Sequence, residues 1–328
     1  MVGQGEQDPM DSNYVEISVK GRPVRTPFIR IGDRLVVVSG QWPSIAEVKE
    51  EEWLVGEAVD NPERYIETIL SSNLSADIFT FAQKIPNITP RFNYYMEWDN
   101  VAAISTRDYA YWWENKLPQE ARKNVRRARK RGIVIRTISF SDDLIASIVK
   151  INNETPVRQG RPFWHYGKGA DVVRKDYSSF LDRSEYFGAF LEDELVGFIK
   201  MIYMGEIAAI LQLLCMNRHQ DKRPANALLA YAVEECNSKG IQNLVYGKYF
   251  YGNNRDSPLT EFKRRNGFER VLLPRYYIPL TVKGKVALRM GLHHGVKALL
   301  PAPILSWAKQ LRTAWYTNRS GIDSSMRG

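Results

Sequence analysis

The stretch from Glu154 to Tyr166, ETPVRQGRPFWHY, concentrates a carboxylate, two guanidinium groups, an imidazole and a phenol in one short loop. Glu154 and His165 are residue types that take a proton from an attacking nucleophile. Arg158 and Arg161, with Tyr166 beside them, suit an acidic or phosphorylated ligand. Each residue taken alone also fits a solvated loop, with Glu–Arg pairs facing water and Trp164 packed on a core. A second set lies in NLVYGKYFYG. A two-residue alternation there puts Leu244, Tyr246, Lys248 and Phe250 on one strand face and Val245, Tyr249 and Tyr251 on the other. Lys248, on an otherwise apolar face, either meets a substrate carboxylate or phosphate or snorkels at the strand end. Tyr246 and Tyr249 are candidate proton donors to a leaving group, and core aromatics otherwise. The third set is KLPQEARKNVRRARKR, residues 116–131, with eight Lys/Arg and one Glu. Cys215 and Cys236 read as buried apolar thiols, and Asp142-Asp143 as a helix cap, so neither a nucleophilic cysteine nor a metal is expected.

The elements that carry these groups follow from periodicity and punctuation. Leu117, Ala121, Val125 and Ala128 share one helical face, so 116–131 reads as an amphipathic helix closed by Gly132. IVIRTI then alternates as a strand. Ser141 caps a helix to about Glu154, and a second helix lies near Val172–Leu181. EYFGAFLEDE, LVGFIKMIYMGE and IAAILQLLCM are three strands joined by short turns. NRHQDKRP leads to a helix with Ala225, Leu228, Leu229, Ala232, Val233 and Cys236 at helical spacing. NLVYGKYFYG is a strand, SPLTEFKRRNGF a short helix and RVLLPRYYIPLT the last strand. Upstream, residues 14–42 are extended. Ser44 with Glu47 predicts a helix start running on through Leu54, and further helices are expected near Pro62 and over 76–82.

The whole chain has 328 residues, 44% hydrophobic and 12% aromatic, which excludes disorder, collagen and coiled coil as its main theme. Its net charge of +9 is uneven: residues 1–100 carry 9 Lys/Arg against 16 Asp/Glu, leaving 37 against 21 for the rest. The later part therefore faces an anion, whether nucleotide phosphate, tRNA or anionic lipid. From Val271 to Ile322 there is no Asp or Glu and eight Lys/Arg. Trp307, Trp315 and several leucines interleave there, which suits an interfacial membrane helix or packing on the first domain. The start lacks the pattern of a signal peptide, and no run of 18 apolar residues occurs, so the cytoplasm is expected, with peripheral attachment to the inner face of the membrane as an extension. The expected division is a disordered 1–13, an α/β region 14–115, a main domain 116–281 and a basic amphipathic tail 282–328.

The order over 133–281, β-α-α-β-β-β-α-β-α-β, excludes a fully parallel doubly wound sheet, and the G-x-G-x-x-G and P-loop fingerprints are absent. Together with RKNVRRARKRGIVIRTI, the NALLAYAVEEC helix and the ending LTEFKRRNGFERVLLPRYYIPL, it resembles the GNAT acyltransferase superfamily. More narrowly it resembles the Fem-type branch, the aminoacyltransferases of peptidoglycan cross-bridges. The resemblance spans about residues 115–281 and implies a mixed, mostly antiparallel sheet flanked by helices. In Fem-type proteins two GNAT-like halves are paired, so 14–115 would be a reduced first half. The resemblance also implies that 154–166 is the acceptor wall and that backbone amides near Leu214, Cys215, Met216 and Asn217 face the acyl oxyanion. It places the donor at the loop Gln220-Asp-Lys222-Arg223-Pro-Ala225 and the following Asn226. CoA-using members have glycine where Arg223 stands. Either Lys222 and Arg223 hold phosphate by charge, with acyl-CoA (acetyl-CoA) as donor, or the donor is an aminoacyl-tRNA.

The function expected is N-acyl or aminoacyl transfer to an amine on a small or envelope-precursor acceptor by direct attack. The alternative is a non-catalytic basic adaptor that binds RNA or anionic membrane through the same fold, for which the aromatic–basic text KYFYGNNR suits base stacking.

Overall fold

Short-range signals account for most helices of the computed structural model, which describes residues 14–19, 22–158, 160–252 and 255–295. Helix α1 (Pro62–Ser71) starts with Asn61 accepting from the Arg64 N–H and Pro62 in its first turn. A short α2 (Tyr109–Tyr111) runs into a π turn over Trp112–Lys116. Helix α3 (Gln119–Lys130) buries Ala121, Val125 and Ala128, and Gly132 at φ 83° turns the chain out of it. Ser141 caps α4 (Asp142–Asn152) through the Leu144 N–H. After α5 (Ala170–Tyr177) and α6 (Pro224–Ser238), Ser257 caps α7 (Pro258–Arg265); α8 (Val282–Arg289) is last.

The strands are β1 (Tyr14–Val19), β2 (Arg22–Ile31), β3 (Arg34–Ser39), β4 (Ile45–Val48), β5 (Ile78–Ala82), β6 (Met96–Ser105), β7 (Ile133–Ile138) and the small hairpin β8 (Val157–Arg158) and β9 (Arg161–Pro162). They continue as β10 (Ser184–Leu191), β11 (Glu194–Met204), β12 (Ile207–Cys215), β13 (Asn243–Val245) and β14 (Glu269–Pro279). All but the hairpin join one 12-stranded sheet in the order β1-β2-β3-β4-β5-β14-β6-β13-β12-β11-β10-β7. Only β4–β5 and β12–β13 are parallel, each crossed over by one helix, α1 and α6. The order is therefore mirrored about the antiparallel pair β6–β14. Each of these two strands has crossed to the other side: β6 follows β5 in sequence but pairs with β13, and β14 follows β13 but pairs with β5.

Alternation across the sheet separates two faces. On one, α3 and α6 cover Ala102, Ile104, Ala208, Ile210 and Leu244, while α1 covers Val36, Val48, Phe79, Phe81 and Tyr276. On the other, α4 and α5 cover Phe198 and Leu214, and α8 covers Ile78. Gly284 of α8 lies so close to Asp77 that a Cβ there would sit 1.9 Å from the Asp77 carbonyl oxygen. Residues 282–295 thus pack on β5 and β14. The remainder of the basic tail, 296–328, and the expected disordered 1–13 lie outside the described residues. No helix among the described residues is long and apolar enough to cross a membrane.

Three expected elements differ. Ser44–Leu54 is not an α-helix, and only Glu51–Trp53 forms a 3-10 turn: Ser44 spends its hydroxyl and N–H on Asp77 Oδ2, both at 3.1 Å, and Ile45–Val48 pairs with β5. Residues 78–82 are a strand, buried on both faces, so their unbroken apolar run carries no period that separates strand from helix. The strand expected over 244–251 ends at Val245, because β12 parts from it after the Ala209–Val245 pair and Gly247 turns at φ 54°. Tyr246 and Lys248 consequently do not share a face.

Candidate active site

Beyond the Ala209–Val245 pair, β12 and β13 diverge, and the loop 154–166 folds over the end of β12. Glu154, two residues past α4, accepts from the N–H groups of Asn217 at 2.6 Å and Arg218 at 2.9 Å. Arg158 donates to the carbonyls of Cys215 at 2.8 Å and Ile151 at 3.0 Å, and pairs with Glu154 at 3.5 Å. The Met216 N–H goes to Val196 O at 2.8 Å. These contacts correct three expectations. Glu154 is a capping acceptor instead of a free base, Arg158 is a brace and not a substrate clamp, and the Met216 and Asn217 amides are spent internally rather than facing an oxyanion. The Leu214 and Met216 side chains are buried under α4.

His165 is 4% exposed, and burial, then nearby Lys168, pushes it down to about 4, so it is neutral at physiological pH. Its Nδ1 has no hydrogen-bond partner, and it stacks 3.7 Å from the Trp164 ring. A buried neutral imidazole of this kind is a weak base, poorly matched to taking a proton at neutral pH. Arg161 and Tyr166 stay exposed on the loop, and their side chains have no hydrogen-bond partner among the described residues. The Lys168 ammonium lies 3.9 Å from the exposed Trp164 ring.

The loop expected to hold the donor is a 3-10 turn over Asn217–Lys222, with Arg223 at φ 60° and Pro224 opening α6. Gln220 donates to Asn217 Oδ1 at 2.6 Å, and its carbonyl takes the Arg223 N–H at 3.1 Å. Asn226 donates to Asn266 Oδ1 at 2.7 Å, tying α6 to the end of α7. Ala225 is half-buried, Lys222 pairs with Asp221 at 3.6 Å, and the exposed Arg223 side chain has no partner among the described residues. Pro224 has no N–H, so few free amides remain where a pyrophosphate would rest. Just before this loop, Arg131 donates to the Asp221 carbonyl at 2.7 Å and carboxylate at 2.9 Å, which fastens α3 to it. On α3, Lys123, Arg126, Arg127, Arg129 and Lys130 are exposed without a carboxylate partner among the described residues.

Tyr246 and Tyr249 are half-buried and pack on the core beside α6. Burial raises Tyr246 strongly, with Tyr251 and Cys215 adding to it. Cys215 is pushed up to about 12 by burial, with Arg158 opposing, so it stays a thiol. Sequence reasoning passed over Lys263 of α7, which is fully buried. Burial brings it down to about 8; its ammonium donates to Lys248 O at 2.5 Å and lies 4.8 Å from the Tyr246 ring. FKRRNGF contained the residue, but its helical face cannot be told from the exposed arginines beside it.

On the α4/α8 face a cavity of about 300 Å³ opens between the mirrored halves, lined by Trp53, Met204, Val245, Gly247, Lys248 and Leu273 among others. Its charged walls are Glu51, Glu52, Glu57, Lys84, Asp99, Lys248 and Arg275. Arg275 pairs with Glu51 and with Asp99 at 3.1 Å, and Lys248 meets Asp99 at 2.9 Å. Burial works against the Asp99 charge, but Lys248 and Arg275 outweigh it and hold that carboxyl low. The Glu52 side chain is exposed at the cavity wall with no hydrogen-bond or ion-pair partner among the described residues; desolvation by the surrounding wall, then Glu51, raises it. Of the expected site residues only Lys248 reaches this cavity.

The acetyltransferase (GNAT) family model matches residues 145–259. Among solved structures, the chain is similar to FemX, with TM-score 0.54 and 10% identity over 84% of this chain and 90% of that one. It is likewise similar to the C-terminal domain (DUF2156) of a protein described as a lysylphosphatidylglycerol synthetase from Agrobacterium fabrum, at TM-score 0.53 and 12% identity over 81% and 88%. L-PGS from Bacillus licheniformis aligns at TM-score 0.53 and 13% identity over 81% and 87%. No curated protein matches the chain in sequence. Residues 145–259 thus match the GNAT acetyltransferase family model, within a fold that the chain shares with FemX and L-PGS.

Proposed function

We propose that the protein transfers an aminoacyl group from an aminoacyl-tRNA to an amine acceptor by direct attack. The observation that carries this is the pairing of the α3 cations, fastened by Arg131 to the donor loop, with a loop that has few free amides. A thioester donor of the CoA type needs amides for its pyrophosphate, whereas an RNA acceptor arm needs spaced cations. Fem-type enzymes, which the sequence resembles, use this donor, and the name lysylphosphatidylglycerol synthetase describes an aminoacylated product. The mirrored strand order supports reading 14–115 as a reduced first GNAT half, so that the acceptor enters between two halves.

In this reading the acceptor amine lies in the 300 Å³ cavity, whose carboxylates favour a cation. The ammonium gives a proton to Glu52, a cavity-wall carboxylate with no partner among the described residues, whose pKa is raised. The freed nitrogen attacks the ester carbonyl, and as the bond to the ribose oxygen breaks, the extra proton on that nitrogen passes to the leaving oxygen, releasing the tRNA with its hydroxyl restored. Lys263 acts as a positioning residue, holding the Lys248 carbonyl where the strands part. The adaptor reading keeps one point in its favour, the withdrawal of Glu154 and His165 from proton transfer.

Binding and turnover are measured with the full chain and charged tRNA. The triple variant Lys123→Glu, Arg127→Glu, Lys130→Glu should bind about 10-fold or more weakly and lower the salt slope by roughly 3. A saturable thermal shift with acetyl-CoA, together with unchanged tRNA binding in the triple variant, sinks the tRNA donor. Tight tRNA binding without loss of the aminoacyl group to any amine favours the adaptor.

A further inference from the structure

Glu97 of β6 and the adjacent His293 and His294 meet on the face that α8 covers. His293 Nε2 lies 2.9 Å from Glu97 Oε1, and His294 Nε2 lies 2.9 Å from Oε2. All three ligand atoms fall within 4.8 Å of one another. A tetrahedral shell with bonds of about 2.0–2.1 Å separates its ligand atoms by roughly 3.3 Å, so small side-chain shifts admit an ion.

The surroundings are built for holding these groups still. The His293 side chain is 1% exposed and sits edge-on to Tyr277 at 4.6 Å and Tyr95 at 6.2 Å. The Tyr95 hydroxyl donates to Glu97 Oε1 at 2.9 Å, an outer hydrogen bond that orients the carboxylate. Gly291 and Gly295, at φ 68° and 82°, bracket the turn that brings the two imidazoles to 4.0 Å. The His294 side chain is 44% exposed, which supplies an entry path and an open position for water.

We propose that Glu97, His293 and His294 bind a divalent first-row transition metal ion of the zinc type, with solvent completing the shell. Two imidazoles and one carboxylate are the donor set for such an ion, and too few oxygens for calcium. Bound there, it fastens the turn after α8 to central strand β6, two residues from Asp99 of the cavity. The proposal does not depend on the acyl-transfer reading. Without an ion the same side chains form a hydrogen-bonded triad, and that is the competing state.

The test uses tag-free full-length protein stripped with chelator, then titrated with Zn²⁺ by calorimetry and with Co²⁺ by visible absorption. One ion per chain, ligand-field bands of a low-coordinate cobalt site and a saturable rise in melting temperature are expected. His294→Ala and Glu97→Gln should each weaken binding by about 10-fold or more and remove the cobalt bands. Absence of saturable binding up to about 1 mM overturns the site. Equal affinity in both variants also overturns it, since the ion then lies elsewhere. Should either variant melt early without metal, the wild-type cobalt spectrum decides, and bands of an all-water octahedral ion overturn the proposal.

Discussion

At the scale of single residues, a side chain's chemistry is set by what lies within about 3 Å of it. His165 has the right type for a base, yet burial leaves it neutral and makes it a contributor to stability instead. Its folded pKa is about 4 and its ordinary value 6.5, so the unfolded chain binds the proton more readily between those values. Stability from its burial is complete above about 6.5 and falls by up to about 3 kcal/mol as the pH drops toward 4. Urea denaturation of wild type and His165→Gln from pH 7.5 to 4.5 checks this. The variant should lack that share of the pH dependence, and parallel profiles count against the assignment. Lys263 carries the converse lesson: an unremarkable lysine in a basic run becomes a buried, partly discharged ammonium under two tyrosine rings.

At the scale of elements, Glu154 joins the end of α4 to the end of β12, and Arg158 bolts the same junction from its other side. Both side chains are largely buried, at 12% and 14% exposure, so deleting one leaves the other uncompensated. Glu154→Ala should cost about 3 kcal/mol, and Glu154→Gln, which keeps an acceptor for the amides, about 1–2 kcal/mol. Transfer activity of Glu154→Gln should stay within about 10-fold of wild type. A Gln variant of normal stability but without activity would restore Glu154 as the base. The helix expected at Ser44 fails at this scale too. A capping-box spelling is local, while the Ser44–Asp77 contact and the pairing of β4 with β5 bring in residues more than 30 positions away.

At the scale of the whole molecule, the exchange of β6 and β14 makes the two mirrored halves one folding unit. The boundary expected at 115/116 separates stretches of sequence, not sheets: cutting there takes β6 from β13 and β5 from β14. A fragment of residues 106–295 alone would expose the edge of β13 and both edges of β14. It should be aggregated or non-cooperative by size exclusion and thermal melting, and co-expression with residues 1–105 should restore a soluble complex. A monomeric fragment with a sharp transition would refute the single-unit account. The cavity is a product of the same exchange, since its walls come from β5, β6, β14 and the end of β13.

The sequence by itself determined the elements of the later part. The capped α4 and α7, the basic α3 with its narrow apolar stripe, the three hairpin-linked strands and the crossover into α6 rest on caps, turns and periods that act within a few residues. Their order was enough for the resemblance to GNAT proteins, and for placing a chemistry-bearing loop between α4 and α5. Only the tertiary structure decided what the loop does, because the amides that occupy Glu154 lie about 60 residues further along the chain. It alone brought Glu97 to His293, 196 positions apart, and drew the acidic turn at 51–57 over the end of β13. Strand pairing between distant segments leaves no period in either one, so its partners, and the site they enclose, appear only once the sheet is assembled.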